Sequence, residues 1–375
     1  MIKILIWGTG SRAKRNYKLA KDSGILNNNK IIGFVDNNNR KWGTKIEGLP
    51  VIPPSEIANI SYDYICIWST YKQEILEQIC KDLGIPLEKE KDILKIYFND
   101  CLNKKYSLNK DEEIKNVLEF IDKSDNISVY NFSPTLPEKM YEAIYDDVAD
   151  LYYIYFENKR LYMKREYEFI IKNNGKKYVK DIWYEQDKNS PHLYEEENVI
   201  VCQGDVLVDA GVCEGNFSLH HIDHVKKVYL IECDTGWIEA LKYTFAPYKD
   251  KVVFCNNFLS SVDSGNTISL DTLLNGESIS FLKMDIEGEE INALYGAKET
   301  FKNSEGVKCA ICSYHHHGDE EKIKKILQSY GIQVSTSKGY MLFLPDIYVC
   351  KNPELRRGIV RGIKSYKEDK TDIIL

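Results

Sequence analysis

No stretch of this chain holds an uninterrupted apolar run near the roughly 20 residues needed to cross a bilayer, so no membrane span is expected. Basic charge is short as well: 50 Lys and Arg stand against 57 Asp and Glu, a formal net charge of -7. Phosphate-backbone binding ordinarily needs a basic patch large enough to release counterions. A nucleic-acid partner is therefore not expected, and Lys176, Lys177 and Lys180 read as a solvated face. Internal repeats and low-complexity segments are missing too, which sets aside solenoids and disordered tails. The opening MIKILIWGTG has too short an apolar part for a secretory signal and runs straight into a glycine turn. It reads as a first β-strand.

What is present is a globular composition, 43% hydrophobic and 29% charged, over 375 residues, enough for two domains with a connecting segment. Ten cysteines are scattered, most of them inside apolar runs, which predicts reduced, buried thiols and a cytoplasmic setting. Cys309 and Cys312 form a CxxC, but strand alternation puts them on opposite faces, against a redox or zinc role.

Residues 1–100 alternate strand and helix patterns, which predicts a Rossmann-like parallel sheet. Residues 101–203, rich in Tyr, Lys, Glu and Asn, read as a mainly helical connector; the stretch YEAIYDDVADLYYIYFENKRLYMKREYEFI is included in it as helix. From 204 to 375 the alternation resumes through VLVDAG, VYLIECD, KVVFCNN, ISFLKMDIEG, VKCAICSYH and IQVST. YMLFLP and IYVC lie too close together for a helical crossover and are expected to pair as an antiparallel hairpin. The fold class is thus α/β: two Rossmann-like doubly wound domains joined by a helical segment, the second with a class I methyltransferase sheet.

Two glycine turns carry the chemistry. The first, Gly8-Thr9-Gly10-Ser11-Arg12-Ala13, is a GxGxxA element opening a helix, and Asp36 closes the next strand. Glycines let the backbone turn tightly and approach a diphosphate at the helix N-terminus, while the acid accepts bonds from ribose hydroxyls. The same residues would also serve merely to make a tight turn. The sequence GFVDNNNRKWGTKIEGLPVIPPSEI resembles the nucleotide-binding-type N-terminal domain of bacterial polysaccharide-biosynthesis enzymes, which implies a nucleotide in this domain.

The second turn follows Asp209 in DAGVCEG, with Gly211, Glu214 and Gly215. A carboxylate there can meet the ammonium of the methionine part of S-adenosylmethionine. Glu232, ending the next strand, is placed to accept two bonds from ribose hydroxyls, and Asn256 or Asn257 after the third strand can face the adenine edge. The apolar run FLKM delivers Asp285 to the carboxyl end of the sheet, where open α/β folds place their ligands. Together these segments resemble the FkbM family of S-adenosylmethionine-dependent methyltransferases. The resemblance rests on Asp209, Gly211 and Gly215, then Glu232, then Lys283, Asp285, Glu287, Gly288, Glu289 and, as the acid after the glycine-x pair, Glu290, then Leu294, Gly296 and Ala297. It implies O-methylation of a sugar or another secondary-metabolite hydroxyl. Val212, Cys213 and Glu214 depart from the family's small or Asn residues in the first turn.

At the fifth strand, Tyr314, His315, His316, His317 and Asp319 gather at the same edge. Methylating a hydroxyl requires losing its proton, and His is the natural base near neutral pH. The family's Tyr-His pair makes His315 the favoured base, with His316 beside it and Asp285 as the central catalytic acid residue. A divalent ion held by Asp285 and the histidines is an alternative that is not favoured, because three adjacent residues of an extended chain cannot all point one way. Two other classes compete: a nucleotide-sugar or NAD-dependent oxidoreductase using the first turn, and a non-catalytic nucleotide-binding protein. Against the former, no Tyr-x-x-x-Lys pair follows the first domain's strands. The expected partner is a small-molecule or sugar acceptor; no pattern in the chain speaks to its oligomeric state.

Overall fold

The structure is a computed structural model, and residues 1–124, 128–135, 141–167, 182–343 and 353–364 are described. Lys176, Lys177, Lys180 and the IYVC strand lie outside them. Contacts divide the chain into two compact units, Met1–Val129 with Leu342–Leu355, and Tyr130–Met341 with Arg356–Leu375.

The first unit is built on β1 (Ile2–Trp7), β2 (Asn29–Val35), β3 (Lys45–Ile46), β4 (Leu49–Ile52) and β5 (Tyr64–Ile67), in the spatial order β3-β4-β2-β1-β5. Four of these strands run parallel; β3 turns back on β4 through Glu47 and Gly48, both at positive φ. Ile4, Leu5, Ile6 and Trp7 are all buried, as expected of a strand covered on both faces. The helix Ser11–Asp22 packs Ala13, Leu19 and Ala20 inward. The amphipathic helix Glu112–Lys123 buries Ile114, Val117 and Ile121 and is capped by Asp111, whose carboxylate accepts from Glu113 N at 2.8 Å.

The second unit corrects the expected helical connector. Its Tyr-rich segment is a three-stranded antiparallel meander of β6 (Ile144–Asp146), β7 (Leu151–Phe156) and β8 (Lys159–Tyr162). The chain reverses at Asp150 and again at Glu157-Asn158, all with positive φ. Tyr, Ile and Phe in LYYIYF pack well on a pleated surface, and two turns at spacings too short for a helix decide the matter.

Beyond the meander come β9 (Val206–Ala210), β10 (Lys227–Ile231), β11 (Val252–Cys255), the two-residue pair β12 (Phe258–Leu259) and β13 (Thr267–Ile268), β14 (Phe281–Met284), β15 (Lys308–Cys312), β16 (Gln333–Thr336), β17 (Met341–Phe343), β18 (Glu354–Arg356) and β19 (Ile359–Ile363). The large sheet has the order β11-β10-β9-β14-β15-β19-β16, with β19 antiparallel to both neighbours. The antiparallel strand of this sheet is β19, and β17, from YMLFLP, pairs with β18; the IYVC half of the expected hairpin lies outside the described residues. Alternate residues feed two cores: Leu207, Leu230, Phe281 and Cys312 on one face, Val208, Ile231, Leu282 and Cys309 on the other. Cys309 and Cys312 thus stand on opposite faces, as their spacing predicts. Burial of thiols is less general than expected: Cys202, Cys213 and Cys233 are exposed. No helix among the described residues is long and apolar enough to cross a membrane.

Candidate functional site

At the carboxyl end of β9 the chain passes so close to β14 that a side chain on Gly211 (φ +74°) would put its Cβ 1.6 Å from the carbonyl oxygen of Asp285. Gly215 (φ +83°) is equally constrained, its Cβ position lying 2.6 Å from Leu241 Cδ2. These glycines are requirements of the turn itself. Asp209 is turned into the fold. Its carboxylate is fully buried, 3.0 Å from Lys283 Nζ, and accepts from Ser218 Oγ at 2.7 Å. Lys283 also donates to Gly211 O at 2.5 Å, which ties the turn to β14. Burial works against the Lys283 charge, but Asp209 and then Asp285 outweigh it and raise its pKa. Asp209 therefore meets a protein ammonium, in place of the ligand ammonium expected from the sequence.

Glu232, at the tip of β10, accepts from Cys213 N at 3.0 Å through one oxygen and from Asp234 N at 2.8 Å through the other. The carboxylate joins the glycine turn to the next helix, Thr235–Thr244, whose N-cap is Asp234. Asn256 donates its amide to the carbonyls of Glu232 and Cys233 at 2.8 and 3.0 Å, while Asn257 accepts from the Cys255 thiol at 3.7 Å. Both stand at the end of β11, beside Glu232. Glu214 makes no ion pair among the described residues, and loss of solvent pushes its pKa up to about 7.

Asp285, at the end of β14, is the centre of a polar cluster. Tyr194 donates to one of its oxygens at 2.9 Å and Tyr314 to the other at 3.1 Å. His192 Nε2 lies 3.5 Å and His315 Nε2 3.6 Å from the same carboxylate. Burial alone would raise the Asp285 pKa; the hydrogen bond and charge of His192, with Lys283 and His315, reverse this and hold it well below the usual carboxylate range. His315 Nδ1 is 3.2 Å from the buried Glu290, whose Oε1 also accepts from Ile286 N at 2.8 Å. Desolvation would lower the His315 pKa, but Glu290, then Asp285 and Glu287, carry it above 6.5.

His316 is carried away from this cluster. Its ring is largely exposed, 3.2 Å from Asp319, and covers Gly288, where a Cβ would come within 2.3 Å of the imidazole. The strand has ended at Cys312 and the chain bends at His315 and His316, so Tyr314 and His315 both reach Asp285 while His316 turns out. Asp285, Glu290 and His315 have donor atoms within 4.8 Å of one another, as do His192, Asp285 and Cys312.

His192 and Tyr194 were not among the candidate residues, and Glu290 was read as a motif acid without a role in the site. The first two lie in a turn and a bend of the segment 191–195, which carries no periodic signal. Their loop is fastened by Arg361 of β19, which donates to the carbonyls of Tyr194 (3.0 Å) and Leu193 and pairs with Glu196 at 2.8 Å.

In the first unit, Gly8 (φ +118°) is needed sterically, since its Cβ would meet Trp68 O at 2.8 Å, whereas a Cβ on Gly10 would meet nothing within 4 Å. Asp36 accepts from Thr9 Oγ1, from Lys41 Nζ at 3.1 Å and from Asn38 N at 2.8 Å. Burial opposes its charge, but these three partners prevail and lower its pKa. A cavity of 510 Å³ lies over this turn.

Comparison with solved structures finds a methyltransferase FkbM from Methylobacillus flagellatus KT, 16% identical over 96% of this chain and 89% of that one, with a TM-score of 0.47. A precorrin-6y C5,15-methyltransferase from Geobacter metallireducens GS-15 is 10% identical over 44% of this chain and 85% of its own, with a TM-score of 0.33. Magnesium protoporphyrin IX methyltransferase from Synechocystis PCC 6803, solved with bound SAM, is 14% identical over 44% and 71%, with a TM-score of 0.29. No curated protein matches. Residues 1–91 match the family described as C2185-like, N-terminal. Residues 164–340, which hold the second glycine turn, Glu232 and the Asp285 cluster, match the Methyltransferase FkbM domain, and methyltransferase is the activity this match supports.

Proposed function

We propose that residues 164–340 transfer a methyl group from S-adenosylmethionine to a hydroxyl oxygen of a small or sugar-like acceptor. The observation that carries this reading is charge. Glu232 and Asp285 stand at the carboxyl ends of β10 and β14, on either side of the glycine turn that follows β9, while Lys283 of β14 is committed to Asp209. Carboxylates so placed can meet the cationic end of a ligand. Glu232 uses one lone pair on each oxygen for a backbone amide, which leaves acceptor capacity for a ribose diol.

S-adenosylmethionine, when bound, supplies a methyl group on a sulfonium, an electrophile that needs a positioned nucleophile more than a strong base. The two carboxyl-cluster residues take different roles according to their environments. Asp285, held ionised, is a poor proton acceptor near neutral pH but a fixed negative charge that orients an acceptor hydroxyl. His315, flanked by Glu290, is the proton acceptor: the hydroxyl proton passes to its imidazole as the new O–C bond forms and the C–S bond breaks with its electron pair to sulfur. Tyr194 and Tyr314 hold the carboxylate in place through their hydroxyls.

Calorimetric titration of the purified chain with S-adenosylmethionine tests the first half of this reading, and an acceptor screen for methylated product the second. Binding that weakens in Glu232→Gln supports it. Absence of binding in the wild-type chain rules it out.

A further inference from the structure

Tyr314 and His315 face Asp285 from beyond the end of β15, in the loop that leads to the helix Asp319–Ser329. No ladder fixes the backbone of such a loop, so other bonds must decide where its side chains point. Arg356, at the end of β18, supplies them. Its Nη1 donates to Tyr314 O at 2.6 Å and to His315 O at 2.9 Å. These carbonyls belong to the two peptide planes on either side of the His315 Cα, so one guanidinium nitrogen sets the direction in which the imidazole leaves the chain. A charged donor makes the stronger kind of hydrogen bond, and a guanidinium keeps its charge at every pH of interest. Arg356 and the residues it holds belong to the same unit.

The residues that follow Arg356 fasten the loop once more. Ser313 N donates to Gly358 O at 2.9 Å and Ser313 Oγ to Arg357 O at 3.1 Å. The Arg357 side chain, by contrast, serves a different segment: it donates to Ser337 O at 3.3 Å and Gly339 O at 3.1 Å, with its guanidinium 4.0 Å from the Tyr340 ring centre. Two adjacent arginines thus make the same type of bond, and Arg356 makes it to the loop that carries His315.

His315 depends on such a hold because its charged neighbours stand on both sides of the ring. Nδ1 is 3.2 Å from Glu290, while Nε2 is 3.6 Å from Asp285 and 3.7 Å from Glu287. The Tyr314 ring packs beside it, centroids 4.2 Å apart. A small rotation of the loop would change all of these distances together.

We propose that Arg356 is a positioning residue of this site, holding the backbone at Tyr314 and His315 so that the imidazole stays between Glu290 and Asp285. Its effect on turnover rests on the methyl-transfer reading; its effect on the imidazole does not.

The test reads His315 directly, by NMR titration of the histidine-labelled full-length chain, with the signal assigned by its loss in His315→Gln. Wild type, Arg356→Met, Arg356→Lys and Arg357→Met are compared, with melting temperature and calorimetric affinity for S-adenosylmethionine measured on each. In Arg356→Met the titration midpoint should move down toward 6.5, because Glu290, Asp285 and Glu287 lose their hold on a ring that has shifted. Loss of a nearby positive charge would by itself raise the midpoint, so a fall reports position and not charge. Methyl transfer to the acceptor found by screening should drop roughly 10- to 100-fold while S-adenosylmethionine affinity is kept, the mark of a misplaced reacting group. Arg356→Lys, which keeps a charged donor, should recover part of both effects. Arg357→Met should titrate as the wild type does. If Arg356→Met does not fold, Arg356→Gln, with one short amide donor, is read in the same way. The proposal is overturned if the folded variant at 356 titrates at or above the wild-type midpoint, or if Arg357→Met lowers it equally. A wild-type chain that fails to bind S-adenosylmethionine removes the methyl-transfer reading instead, and the imidazole titration still decides the role of Arg356.

Discussion

The chain makes a strand–glycine turn–helix twice and gives the two turns opposite electrostatics. At the first, the acid ending the second strand, Asp36, is neutralised by Lys41 and bonded by Thr9 and a backbone amide, and the helix end beside it is left uncapped. At the second, the corresponding acid, Glu232, accepts from two backbone amides and makes no ion pair among the described residues, and neither does Glu214 nearby. The available cation there, Lys283, is spent one strand away on Asp209. Backbone topology is thus common to both, and the placement of one lysine sets the charge beside each turn. Glycine motifs alone do not carry that information.

The largest expected effect comes from removing the charge on which the second turn's contrast depends most. Asp285→Asn keeps the shape but leaves Tyr194, Tyr314 and both histidines around a neutral amide. Methyl transfer should fall by roughly 10²–10⁴-fold, the usual range for a positioned catalytic group. Wild-type turnover in Asp285→Asn would detach the cluster from the chemistry. The two lysines offer the next comparison. Lys283→Met strands Asp209 inside the fold, where an uncompensated buried charge costs about 3–5 kcal/mol. Lys41→Met removes a pair whose ammonium is 41% exposed, and surface pairs of this kind are worth about 0–1 kcal/mol. Denaturant titrations of the two variants should therefore differ by several kcal/mol; similar values would mean that the two ion pairs are not electrostatically distinct.

How much of this was legible beforehand follows the same physics. Gly211 and Gly215 were readable because close backbone approach admits no other residue, and Asp285 because the strand FLKM, apolar but for Lys283, ends in a carboxylate. The meander of β6 to β8 was missed because LYYIYF lacks clean alternation, with Tyr on both faces, and its reversals use Glu157-Asn158 in place of a glycine turn. The strand β19 was missed because Arg361 and Gly362 interrupt its apolar pattern. Arg361 is nonetheless buried, since three of its acceptors come from a loop about 165 residues away in sequence. His192 and Tyr194 went unnoticed for the same reason: what makes them part of the site is that tether, and tertiary tethers leave no local periodicity. Asp209 was legible as a motif residue but not in its role, because the sequence does not show that Lys283 faces it.

A moderate effect is expected at Glu232. Replacing it with Gln keeps one carbonyl acceptor for Cys213 N or Asp234 N but loses the charge and half the acceptor capacity. Hydrogen bonds to charged groups are worth about 1.5–3 kcal/mol, so S-adenosylmethionine affinity should fall roughly 10- to 100-fold. The melting temperature should not change. Calorimetry and thermal unfolding of the same preparation read the two, and a parallel loss would show that the variant unfolds the chain.

The smallest effect is a shift in pH dependence, and it tests which group takes the proton. His315 must be neutral to act as a base, and Glu290, Asp285 and Glu287 favour its protonated form and raise its pKa from 6.5. Activity should therefore rise with pH along a limb whose midpoint lies above 6.5, because deprotonation of the imidazole comes later than in water. Stability runs the other way: the ion pairing of His315 contributes fully below the unfolded value of 6.5 and is lost as pH rises through the higher folded value. Glu290→Gln removes the leading cause of the shift, so the activity limb should move toward lower pH while stability becomes less dependent on pH in the same window. A rate profile of Glu290→Gln that coincides with the wild type would assign the proton to another group. His192, 3.5 Å from Asp285 and 3.2 Å from the Tyr314 hydroxyl, would be the next histidine to test.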